Sequence, residues 1–199
     1  MRTAFKVMIG AALALGAVPA NAKANDGSSG DGAVAIEVAA AELPPGKFVW
    51  ADTGSVEPVT VVISIPLQRA FVYRGESLVA ASAVSTGKPG DDTPTGVFPI
   101  LQKAQKHTSN IYGVAMPYMQ RLTWDGIALH AGRNPGFPAS HGCIRLPTAF
   151  AKKLFEVTDI GTTVVVTDGI PVGAELDPEM VRTDAARANE AQLAAIDGN

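Results

Sequence analysis

Between residues 59 and 168 the apolar positions fall in short runs rich in β-branched residues, broken at close intervals by Gly, Pro, Asp and Asn. That pattern predicts a mainly β domain. Runs over 59–65, 70–74 and 78–85 read as strands, with Arg74-Gly75-Glu76 as a tight turn that makes the last two antiparallel neighbours. Further strands are predicted over 97–102, over 127–129 ending at His130, and over 162–167 as a buried closing strand. One segment changes period: Leu146, Phe150, Leu154 and Val157 fall on one face at helical spacing, and Pro147 suits the first turn of that helix.

Outside the β region the texture differs. Residues 1–22 carry Arg2 and Lys6, an apolar run over 7–18 and an Ala20-Asn21-Ala22 end, the features of a secretory signal peptide. The run is short for a membrane span, and no second long apolar stretch follows. The mature chain is therefore expected to be exported, with no span left after cleavage. Residues 23–46 are Ala, Gly, Ser and acid closed by Pro44-Pro45, and read as a flexible linker. The domain is expected over 47–169, followed by a 170–199 tail in which Asp177-Pro178 can cap an Ala-rich helix.

Composition narrows the partners. Removing Arg2 and Lys6 from 16 basic residues against 19 acidic ones leaves a mature net charge of −5, which argues against nucleic acid. A single cysteine, Cys143, rules out an internal disulfide in an exported chain.

That cysteine lies in the stretch 128–147, ALHAGRNPGFPASHGCIRLP, with His130 and His141. A thiol becomes a good nucleophile when a base such as imidazole assists it, and Gly142 permits a tight turn that brings main-chain N–H groups toward a reacting carbonyl. Either histidine can serve as base on spacing alone: His141 is two positions away, and His130 meets the sulfur only through folding. Two other readings compete, a zinc site and a non-catalytic pocket. Zinc is poorly served, since His, His and Cys barely suffice and no further pair has ligand spacing. The Gly- and Pro-dense loop 86–96 lacks phosphate-loop spacing and reads as structural. The irregular stretch 103–125 concentrates Tyr112, Met116 and Trp124, candidates for one wall of a substrate cleft or a lid; His107 reads as a solvated loop residue.

Over roughly 59–168 the chain resembles the L,D-transpeptidase catalytic (YkuD) domain. The resemblance is carried by Gln68-Arg69 with Val72-Tyr73, Ser85-Thr86-Gly87, Thr93-Pro94-Thr95-Gly96, Leu129-His130 and Ser140-His141-Gly142-Cys143-Ile144-Arg145-Leu146. It implies a β-sandwich-like fold with a short helix after the nucleophile. It also implies Cys143 as nucleophile and His130 as proton acceptor and donor, oriented by the Ala131 carbonyl. His141 and Gly142 would line the oxyanion hole with Cys143, while Arg145 and Ser140 join Tyr112, Met116 and Trp124 as substrate-binding candidates.

The implied reaction is attack on the amide between diaminopimelate, or its equivalent, and D-alanine in a peptidoglycan tetrapeptide stem. A thioester forms and passes to an amine, giving a 3→3 cross-link or attachment to an envelope lipoprotein or a D-amino acid, with no metal or organic cofactor. A periplasmic location is the matching expectation. Alternatives are an L,D-carboxypeptidase, or a hydrolase that releases cross-links or lipoprotein, with the same site. From a different class, a wall-binding module without turnover is the remaining alternative.

Overall fold

A computed structural model describes residues 28–52, 54–171 and 175–183. The expected signal peptide over 1–22 and the tail beyond residue 183 lie outside these described residues. In chain order the elements are α1 (Ser28–Ala41), β1 (Phe48–Trp50), β2 (Val59–Ser64), β3 (Arg69–Arg74), β4 (Ser77–Ala83), β5 (Gly96–Pro99) and β6 (Gln102–Ala104). They continue with β7 (Met119–Arg121), β8 (Ala128–Ala131), β9 (Ile144–Leu146), α2 (Thr148–Val157), β10 (Thr163–Thr167) and a single 3-10 turn, Pro178–Val181. Among the described residues the strands form a six-stranded sheet, ordered β1-β4-β3-β2-β10-β5, and a four-stranded sheet, ordered β6-β7-β8-β9. The mainly β, two-sheet architecture with a helix after Cys143 matches the expectation from sequence.

Both faces of the larger sheet are covered, which explains why its strands read as continuous apolar runs rather than alternating ones. Val61, Ile63, Val164 and Val166 point inward against Leu129, Ile144, Leu146 and the α2 residues Phe150, Ala151 and Leu154. Val62 and Val165 point the other way, to Phe71, Tyr73, Leu78 and the α1 residues Ala33, Ile36 and Ala40. β2 pairs with β3 antiparallel and with β10 in parallel, so the strand expected to close the sheet lies inside it.

Three expectations are corrected. Residues 28–41 are helical, not a flexible linker: Ala33, Ile36, Ala40 and Leu43 recur at helical spacing and bury against the sheet. The Arg69 guanidinium completes the helix end by donating to the Ala40 and Leu43 carbonyls at 2.8 and 2.7 Å, groups that a helix terminus otherwise leaves unpaired. The stretch 97–102 is two strands in different sheets, β5 beside β10 and β6 beside β7, separated at the buried Ile100. In the described part of the tail, Asp177 accepts from the Glu179 N–H but caps only the 3-10 turn.

α2 matters to the site because it packs behind β8 and β9. Phe150 is fully buried, with the Phe48 and Trp50 rings each 5.6 Å from its own centroid to centroid. The C-terminal end of α2 is held by Lys103 of β6, whose ammonium donates to the Phe155 carbonyl at 2.7 Å and to the Thr158 carbonyl. Phe150→Ala is expected to destabilise the domain by about 3–5 kcal/mol, because the cavity left under three elements has no neighbour free to fill it. Urea unfolding of the two proteins measures this, and a loss below about 1 kcal/mol would mean that α2 is not anchored through this ring.

Candidate active site

Strand register brings the chemistry to one face of the smaller sheet. β8 and β9 run parallel, with Leu129 opposite Ile144 and His130 opposite Arg145. β7 runs antiparallel to β8, with Gln120 opposite Leu129 and Arg121 opposite Ala128. Gln120, Leu129 and Ile144 are fully buried toward the core, so the alternate set of Arg121, Ala128, His130 and Arg145 faces the other way. Cys143, immediately before β9, continues that outward set. Arg121, His130, Cys143 and Arg145 all line one cavity of about 330 Å³. His130 on β8 and Cys143 just ahead of the neighbouring β9 thus fall on the same face, which spacing alone did not show.

His130 is nearly buried, and its Nδ1 lies 2.8 Å from the Ala131 carbonyl oxygen. A carbonyl can only accept, so Nδ1 carries the proton and Nε2 keeps its lone pair. Burial pushes the imidazole below its ordinary pKa; the Ala131 hydrogen bond opposes this, and the positive charges of Arg145 and His107 reinforce it. The shift favours the neutral imidazole at pH 7.

Cys143 is half-buried, and its Sγ donates to the Gly126 carbonyl at 3.3 Å. Burial pushes the thiol above its ordinary pKa, against the Ala128 N–H and the charges of Arg145 and Arg121, which favour the thiolate. Both shifts favour the uncharged forms, a neutral thiol and a neutral imidazole.

The loop before Cys143 is braced from behind. Gly142 has φ +99°, a conformation strained for any residue with a Cβ, and a Cβ there would also stand 2.7 Å from Ile127 Cδ1. Thr93 accepts from the Gly87 N–H at 2.8 Å and donates to the Gly142 carbonyl at 2.7 Å. The peptide joining Gly142 to Cys143 is trans, so its N–H points opposite to the carbonyl that Thr93 holds. Among the described residues that N–H donates to no protein group, which leaves it for an oxyanion. Ser140, buried, donates its hydroxyl to the Cys143 carbonyl at 2.5 Å and so braces the same turn from within the cavity wall.

The remaining candidates divide. Tyr112, Met116, Trp124 and Arg145 line the cavity. The His141 ring is exposed and stacks on Tyr112 with centroids 4.5 Å apart, while its Nε2 lies 3.3 Å from Lys88 Nζ. Its ring therefore ties loop 86–96 to the 105–118 segment, at the edge of the same cavity. His107, read from sequence as solvated, is half-buried in the cavity wall and contributes to the field at His130. Sequence reasoning missed Arg121, and took Thr93 only as part of a family motif without a role in the site. Among the described residues no three His, Cys, Asp or Glu side chains converge as metal ligands.

The model of the L,D-transpeptidase catalytic domain family, YkuD, matches residues 58–166. Among solved structures, the chain is similar to an L,D-transpeptidase from Stackebrandtia nassauensis at 30% identity and a TM-score of 0.53, over 59% of this chain and 58% of that one. It is similar to L,D-transpeptidase 1 of Mycobacterium tuberculosis at 25% identity and a TM-score of 0.50, over 55% and 62% of the two chains. An L,D-transpeptidase solved in complex with imipenem shares the fold at 24% identity and a TM-score of 0.54, over 56% and 59%. The alignments therefore span less than two thirds of the length of these relatives. No curated protein sequence matches the chain.

Two outcomes are expected of the site. Alkylation of Cys143 by iodoacetamide should rise with pH through a midpoint above that of an unperturbed thiol, because burial withholds the thiolate; a midpoint in the acid range would mean a resting ion pair. Thr93→Val should slow acylation of Cys143 by a p-nitrophenyl ester by about tenfold or more, with alkylation little changed, and Thr93→Ser should restore it. Equal slowing of both reactions would reduce Thr93 to a packing role.

Proposed function

The chain belongs to the L,D-transpeptidase catalytic domain family, and on that premise we propose that it is an exported acyltransferase of peptidoglycan with Cys143 as nucleophile and His130 as its proton acceptor and donor. The observation that carries this reading is the shared face of β8 and β9, where an imidazole with Nδ1 already committed presents a free Nε2 to the cavity that holds the thiol.

The donor is a tetrapeptide stem ending in D-alanine. As the Cys143 sulfur attacks the carbonyl of the third residue, His130 Nε2 takes its proton, and the oxyanion is met by the Cys143 N–H at the Gly142 turn. Collapse breaks the C–N bond. His130 returns the proton to the departing D-alanine amine, leaving a thioester on Cys143 and a neutral imidazole. An acceptor amine then attacks the thioester, passes a proton to His130 and carries away the acyl group as an amide, restoring the thiol. Tyr112, Met116 and Trp124 line the cavity in which the thioester would form and meet the acceptor. A neighbouring stem gives a 3→3 cross-link, and a lipoprotein lysine or a D-amino acid satisfies the same chemistry. Arg145, on the cavity face two residues from the nucleophile, suits the terminal carboxylate of the stem. The signal-like residues 1–22 support action outside the cytoplasm, in a periplasm.

Purified sacculi or soluble tetrapeptide incubated with the protein should lose D-alanine and gain dimers, and a carbapenem should add its mass to Cys143. Cys143→Ala should show neither release nor adduct. Release of D-alanine by the variant would remove Cys143 from the mechanism, and shortened stems without dimers would make the enzyme a carboxypeptidase.

A further inference from the structure

The helix α1 precedes the stretch, 58–166, that carries the family match, yet its end is bonded to the supports of the active site. The link is Arg69, the first residue of β3. Its Nε donates to the Ala40 carbonyl at 2.8 Å and its Nη2 to the Leu43 carbonyl at 2.7 Å. Its Nη1 donates to the carbonyls of Leu67 at 3.3 Å and Gln68 at 3.1 Å. Among the described residues no carboxylate pairs with it. A planar fork whose donors all go to main-chain oxygens fixes backbone rather than charge.

The backbone it fixes is strained. Gln68 has φ +51°, in the left-handed region, where a residue with a Cβ persists only if its surroundings hold it. Besides Arg69, the Val84 N–H holds the Gln68 carbonyl at 2.9 Å, and the Gln68 N–H donates to the Ile65 carbonyl at 3.2 Å. This turn aims a buried amide: Nε2 donates to the Thr86 hydroxyl and Oε1 accepts from the Thr86 N–H. Relaxing φ into the negative range would swing the Cβ, and the amide with it, away from Thr86.

Two supports of the nucleophile meet at Thr86. Its carbonyl accepts from the N–H groups of Ala139 and Ser140, each at 3.0 Å, and Ser140 in turn braces the Cys143 carbonyl. The next residue, Gly87, donates to Thr93, which holds the Gly142 carbonyl. The N-terminal segment also meets the approach to Ser140 directly. A Cβ on Gly136 would stand 2.5 Å from Pro45 Cγ, so the proline that follows α1 packs against the bare glycine.

Resting on acyl transfer at Cys143, we propose that α1 is part of the acyl-transfer apparatus, with Arg69 as a positioning residue. The guanidinium ties the strained Gln68 turn to the end of the helix, and the turn holds Thr86 where both supports of the Gly142–Cys143 peptide need it. Undocking α1 lets Gln68 relax and that peptide rotate, which blunts attack on a carbonyl while the thiol stays in place.

The test compares two reactions of Cys143 in the full chain: acylation by a p-nitrophenyl ester, which develops an oxyanion, and alkylation by iodoacetamide, which does not. Arg69→Gln is expected to slow acylation by about tenfold or more with alkylation little changed. Arg69→Lys, which keeps a cation but not the planar fork, should restore part of the rate. Ile36→Ala, which loosens α1 and leaves Arg69 intact, should move the ratio of the two rates in the same direction. Hydrogen exchange locates the change: the amides of Thr86 and Gly87 should lose protection in Arg69→Gln while those of Val62 and Val165, inside the larger sheet, keep theirs. Equal slowing of both reactions, faster exchange confined to α1, or protection lost across the sheet in both variants overturns the proposal. Acylation lost selectively in the variants of a protein that releases no D-alanine from tetrapeptide donors would uphold the positioning role and overturn the transpeptidase reading.

Discussion

The site depends on the parallel pairing of β8 with β9. That register alone sets His130 beside Arg145 and one step along from Cys143, on a face opposite to the buried Leu129 and Ile144. A slip of one residue would turn the imidazole into the core and a leucine into the cavity. What prevents the slip is the hydrocarbon behind it: Leu129, Ala131, Ile144 and Leu146 interlock with α2 and with the inner residues of β2 and β10. Catalytic geometry is thus held by the same contacts that hold the two sheets together.

The electrostatics follow from that placement. Burial works against the charged form of both reacting groups, raising the thiol and lowering the imidazole, while nearby guanidinium groups favour thiolate and disfavour imidazolium. The first effect dominates for the sulfur, and both act in the same direction on the histidine. A neutral pair costs little to keep in a half-buried site and leaves the thiol less reactive than a thiolate would be.

Much of this arrangement was legible in the sequence because it is written in local patterns. The β-branched runs, the helix from Leu146 to Val157 and the Gly142-Cys143 turn each announce themselves within a few residues. The choice between His130 and His141 was not legible from spacing, since it depends on a parallel crossover whose register no local pattern shows. Residues 23–46 misled for another reason: a helix made largely of Ala and Gly buries little per residue, and its apolar face registers only once the outer side of the larger sheet needs a cover. Arg121 escaped because β7 inverts the usual alternation. Gln120 is the residue turned into the core, accepting from the Thr158 hydroxyl at 2.7 Å, while the cation beside it faces the cavity.

The loop over 86–96 shows how a stretch with no chemistry of its own can set the chemistry of another. Its first residue is clasped by Gln68, whose side chain accepts from the Thr86 N–H at 3.0 Å and donates to the Thr86 hydroxyl at 2.7 Å. Its middle is fastened at Thr93, which joins the Gly87 N–H to the Gly142 carbonyl, and Lys88 reaches out between Asp91, at 3.1 Å, and His141. A cavity-lining peptide group free to rotate would lose its alignment with a developing oxyanion. Tied at its carbonyl to a hydroxyl that is itself tied to the larger sheet through Gly87, Thr86 and Gln68, it rotates only if that chain of bonds yields. The larger sheet thereby reaches across to orient the one N–H that the smaller sheet cannot fix for itself.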